Sequence, residues 1–137
     1  MRKSVVIHCG VGVLLFGLGV ATGLVAQTQT DSPQRVEQKR TDLSGAPGIE
    51  VIASTAEYRP GEETRRHFHH GVEMAYVVQG ARVQAPGKEA MMLETGTTIM
   101  NLRDVKHGGV KVVGDTSLKL FTVHIVDKGK PLYDPAD

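Results

Sequence analysis

The chain has 137 residues, with 16 Lys and Arg against 15 Asp and Glu, for a formal net charge of +1 at neutral pH. So even a balance supplies no sustained basic face for nucleic acid, and the short pairs Lys39-Arg40 and Arg65-Arg66 read as solvated surface. The single cysteine, Cys9, excludes an intramolecular disulfide and leaves the body of the chain without a thiol nucleophile.

In chain order, Met1-Arg2-Lys3 provides a positive start, and the run from Ser4 to Ala26 contains no Asp, Glu, Lys or Arg before polar residues follow. That pattern predicts an export signal over residues 1–26, cleaved after Ala26, and a periplasmic or secreted domain. An uncleaved membrane anchor is the alternative, because the run approaches the roughly 20 residues that span a bilayer. No other membrane contact is expected. Residues 27–40 are polar, with little to bury, and predict a flexible tether.

From 41 to 137 the pattern changes to short apolar or alternating runs: IEVIASTAEY, VEMAYVVQ, ARVQA, AMMLE, TTIMNL, GVKVV and SLKLFTVHIV. Gly, Pro and Asp separate them, and no window of helical length carries a 3.6-residue apolar period. The segment therefore reads as one all-β domain, an antiparallel sandwich or barrel of about eight strands joined by short hairpins. Met74, Met91, Met92 and Met100 are taken as core filler, since methionine commonly fills gaps. Tyr76 and Phe68 alternate away from the face discussed next, toward another sheet or a partner subunit.

The stretch PGEETRRHFHHGVEMAYVVQG holds three of the six histidines. In an extended strand, residues two apart share a face, so His67 and His69 point together while Phe68 and His70 point away. Glu73 keeps the same parity if the strand continues, and a bend at Gly71 could still aim it inward. His107, in a second hairpin context, offers a further donor from a distance. Imidazole nitrogens with a carboxylate oxygen suit one divalent transition ion (Fe, Mn, Ni, Cu or Zn), so His67, His69, Glu73 and His107 are the expected metal ligands. His124 is a possible hydrogen-bonding neighbour behind them. His70 is expected outside, and Arg65 and Arg66 on a solvated loop.

Gly61, His67, His69, Glu73 and Gly80 match, at every specified spacing, the first motif of the cupin superfamily, which this sequence resembles. The second motif matches in part. Gly96 and His107 stand at its spacing, while Leu102, Asp104 and Lys111 replace the usual proline, glycine and asparagine. Aspartate tolerates turn and left-handed backbone, so the departure bears on turn geometry more than on the ligand. The resemblance implies a small jelly-roll-like barrel that often dimerises. It also implies a metal-dependent enzyme, an oxidoreductase of dioxygenase type acting on a small organic molecule. A non-catalytic module binding a sugar or carboxylate is the alternative reading, and a cupin isomerase or epimerase a third.

Overall fold

The computed structural model describes residues 32–136. The predicted signal and residues 27–31 of the predicted tether lie outside the described residues. Eleven strands run in the order β1 Arg35–Asp42, β2 Ile49–Tyr58, β3 Glu63–Thr64, β4 His67–Phe68, β5 Gly71–Gln79, β6 Ala81–Gln84, β7 Met91–Leu93, β8 Thr98–Asn101, β9 Val110–Val113, β10 Leu118–Asp127 and β11 Asp134–Pro135. No helix occurs among the described residues, so the all-β expectation holds, with three two-residue strands beyond the expected eight.

A five-stranded sheet, ordered β1-β2-β10-β5-β8, faces a four-stranded sheet ordered β3-β9-β6-β7. Strands β4 and β11 form a separate pair beside them. Every pairing is antiparallel. Alternation decides what is buried. Along β2, β5 and β10 every second residue faces the interior, and Ala56, Tyr58, Val77 and Leu118 meet Ala81, Val83 and Val112 from the opposite sheet. Burying each large aliphatic side chain contributes about 1.5–3 kcal/mol. A smaller cluster of Ile52, Val126 and Leu132, flanked by Tyr133, closes the other end.

Between these clusters the interior turns polar, with Ser54, Glu73, Thr122 and His124 all buried. The Thr122 hydroxyl has no hydrogen-bond partner among the described residues.

The tether expected over 27–40 is corrected here, since from Arg35 onward it is strand, paired with β2 along its length. Its sequence lacks apolar residues because it docks through charge. The Arg40 guanidinium lies 2.7 Å from the buried carboxylate of Glu50, and Arg35 donates to Ser54 Oγ at 2.7 Å. The methionine expectation is also corrected. Met74, Met91, Met92 and Met100 are all exposed: alternation along β5 turns Met74 out between buried Glu73 and Ala75, while Met91 and Met92 lie on β7 and Met100 on β8, the edge strands of their sheets.

Two close approaches fix the strand carrying Glu73. Gly71 pairs with Val126, and a Cβ there would lie 2.1 Å from Ile125 O and 2.6 Å from Val126 Cα. At the far end a Cβ on Gly80 would lie 2.4 Å from Leu93 O. Only glycine fits at either point.

Candidate metal centre

The chain breaks at residues 69–70, between β4 and β5, and this break brings the first three expected ligands together. His67 lies on β4, His69 just beyond it, and Glu73 on β5. His107 arrives on the loop between β8 and β9, where it and His67 exchange backbone hydrogen bonds of 2.8 and 3.0 Å. The loop enters through Asp104, which adopts a positive φ of 60°, as its replacement of the motif's glycine suggested.

The ligand atoms of His67, His69, Glu73 and His107 lie within 4.8 Å of one another. His69 Nε2 is 3.2 Å from His67 Nε2, 3.1 Å from His107 Nε2 and 3.3 Å from Glu73 Oε2. His107 Nε2 is also 3.3 Å from that oxygen.

The opposite nitrogens explain this convergence. His67 Nδ1 meets the carbonyl of Arg65 at 2.6 Å, His107 Nδ1 that of Val105 at 2.8 Å, and His69 Nδ1 that of Leu132. A carbonyl only accepts, so each Nδ1 carries a proton, and each ring turns its Nε2 toward the others. Lone pairs facing one another at these distances repel unless a proton or a cation lies between them.

Burial works against charge on His67 and His107, and the balance differs between them. His67 is pushed down to about 4, chiefly by burial and with the neighbouring His107 and His69 adding to it, against the Arg65 carbonyl. Burial works against the charged form of His107 too, but contact with Glu73 outweighs it and raises the pKa above its ordinary value. Glu73 is buried, which opposes ionisation, yet contacts from His107, His124 and His69 hold its carboxyl well below the usual range. Without a metal, Glu73 is therefore an anion with its proton partner on His107. A divalent cation takes the same place more completely.

The spacing fits one. Donors about 2.1 Å from a common ion lie roughly 3.0 Å apart at right angles and about 3.4 Å apart at tetrahedral angles. The four adjacent separations, 3.1 to 3.3 Å, fall inside that range.

His124 stands opposite Glu73 in the β10–β5 register and is fully buried, its Nε2 3.4 Å from Glu73 Oε1. Neither ring nitrogen makes a directed hydrogen bond among the described residues, so the contact is electrostatic. Burial, outweighing Glu73, lowers its pKa and keeps the ring neutral.

His70 is half-exposed and turned away from the centre, as parity predicts, and its Nε2 lies 2.5 Å from Asp134. Arg65 and Arg66 are exposed.

Three participants had no sequence signal. Asn101 donates to Glu73 Oε2 at 2.6 Å, an arrangement visible only once β8 pairs with β5. The Leu132 carbonyl orients His69, and the Tyr133 ring lies 4.5 Å from that of His67.

No family model matches the chain, and no curated protein does. Among solved structures, an uncharacterized conserved protein with a double-stranded β-helix domain from Klebsiella pneumoniae is 14% identical, with TM-score 0.52, covering 77% of this chain and 89% of that one. The polyketide cyclase RemF from Streptomyces resistomycificus is 17% identical, with TM-score 0.51, covering 72% and 80%. A cupin-like protein from Thermotoga maritima is 24% identical, with TM-score 0.47; the match covers 66% of this chain and 65% of that one, just under two thirds of its length.

The fold is that of a double-stranded β-helix. In this fold His67, His69 and Glu73 face the interior, and His107 comes to them across the β4–loop bridge.

Proposed function

We propose that the protein is an exported, metal-dependent cupin enzyme of dioxygenase type acting on a small organic molecule. One observation carries the metal: three Nε2 atoms whose tautomers are set by backbone carbonyls, converging with a buried carboxylate. A redox-active divalent ion held by His67, His69, Glu73 and His107 would supply Lewis acidity and one-electron chemistry.

The residues themselves do the rest. Glu73 Oε2 joins the converging nitrogens and is oriented by Asn101. Glu73 Oε1 faces neutral His124. Buried Thr122 and His124 offer further polar atoms to a ligand inside the barrel. Because one fold relative is a polyketide cyclase, the fold alone does not select dioxygenation.

Elemental analysis of protein purified without chelator tests the metal, and oxygen uptake by the reconstituted protein with small diols and diketones tests the reaction. One iron or manganese per chain with substrate-dependent uptake is expected. Product formed without oxygen would replace the dioxygenase with an isomerase or epimerase. Tight ligand binding with no turnover would leave a binding module.

The protein's partner is a second copy of itself. On the outer face of the five-stranded sheet, Met74 pairs with Met100 and Phe121 with Tyr76, and Val36 and Ile125 extend the same face, all exposed. A row of exposed large apolar side chains on one sheet face marks an interaction surface. Light scattering is expected to give a dimer that Phe121→Asp converts to monomer. A monomeric wild type would remove this reading. Export is tested by N-terminal sequencing of the processed chain, with Gln27 as the expected first residue.

A further inference from the structure

The segment after Lys130 lies far from the metal-centre motif in sequence, yet it touches that centre at several points. The Leu132 carbonyl accepts from His69 Nδ1, while the Leu132 side chain packs with Ile52 and Val126. The Tyr133 ring lies 4.5 Å from His67, 5.0 Å from His69 and 5.9 Å from His124. Asp134 and Pro135 pair with Phe68 and His67, the Asp134 carboxylate meets His70, and the Ala136 amide donates to the Arg66 carbonyl at 3.0 Å.

We propose that residues 131–136 are a working part of the metal centre. The Leu132 carbonyl and the Tyr133 ring are positioning groups for His69 and His67, so that docking of this segment and binding of the ion stabilise each other. The proposal rests on the metal reading of His67, His69, Glu73 and His107.

The physical reason lies in His69, which is fully buried and whose Nδ1–H has the Leu132 carbonyl as its partner. If the segment lifts away, a buried donor is left unsatisfied and nothing holds the ring in the tautomer that presents Nε2. Losing such a partner of a ligating histidine typically weakens metal binding 10- to 100-fold. Linkage is reciprocal, so a bound ion favours the docked segment by the same factor. His70, off the centre itself, anchors the segment through Asp134.

The test uses the full chain, metal-free and saturated with Zn²⁺ as the probe. Hydrogen exchange at the Ala136 amide reports opening of the segment directly. Zinc is expected to slow that exchange about 10- to 100-fold. In chelator competition, Tyr133→Ala is expected to weaken zinc binding and Tyr133→Phe, which keeps the ring, to restore it.

One zinc bound per chain with unchanged exchange across 131–136 would overturn the proposal and leave the metal centre standing. No zinc bound at all would overturn the metal reading itself. A Tyr133→Phe variant as weak as Tyr133→Ala would overturn the role of the ring.

Discussion

Glu73→Gln isolates the carboxylate. Its side chain is buried with three histidine nitrogens 3.3 to 3.4 Å from its oxygens and Asn101 at 2.6 Å. Glutamine keeps the size and can still accept from Asn101, so the change removes mainly charge. Breaking a buried, hydrogen-bonded charge pair costs about 3–5 kcal/mol, which for a metal complex is about a 150- to 5,000-fold weaker Kd.

The metal-free protein loses far less, because His107 can release its proton and no uncompensated buried charge remains. At a free metal concentration 100 times the wild-type Kd, binding adds about 2.7 kcal/mol to stability; a site weakened 100-fold adds only about 0.4 kcal/mol. For a domain of this size the difference is about 10–15 °C of metal-induced gain in Tm. Thermal melts with and without metal, beside chelator competition, measure both quantities. A Kd within about threefold of wild type, or a metal-induced gain as large as wild type's, would refute the assignment of Glu73 as a ligand.

Metal affinity is also expected to fall with pH. The proton on His107, held above the ordinary histidine value by Glu73, must leave before that nitrogen can bind. Between pH 7.5 and 5.5 this group alone weakens binding by about 10- to 100-fold, whereas His67, at about 4, is already neutral and contributes no proton. Chelator competition across that range checks it, and a flat profile would contradict it. Gly71→Ala drives a Cβ into the Ile125 carbonyl and the Val126 backbone, which cannot yield as a flexible side chain would. A loss of about 3 kcal/mol or more in urea unfolding is expected, and a change under about 0.5 kcal/mol would contradict the β5–β10 register.

Much of the centre was legible in the sequence because strand parity is a local rule. Parity put His67 and His69 on one face and Phe68 and His70 on the other, and the folded chain keeps that sorting although β4 ends at Phe68. Glu73 was reachable on either of the sequence routes, and the structure uses the break at residues 69–70 rather than a continuous strand. The tether was misjudged because β1 docks through Arg35 and Arg40 rather than through apolar side chains, so composition could not distinguish it from a solvated linker. The methionines were misjudged for a different reason. Their identity suggests burial, but an outward-facing site on β5 and places on the edge strands β7 and β8 decide exposure.

By itself the sequence determined an all-β domain, the motif spacing, and four side chains with the chemistry to hold a cation. Those properties depend on neighbours two to seven residues apart and on residue type. Only the tertiary structure decided that His107 completes the group, that His124 faces Glu73 across a strand pair, and that Asn101 orients the carboxylate. It also brought Leu132 and Tyr133 against histidines more than 60 residues earlier. Those contacts depend on which strands pair and in what register, and register is a property of the whole folded chain.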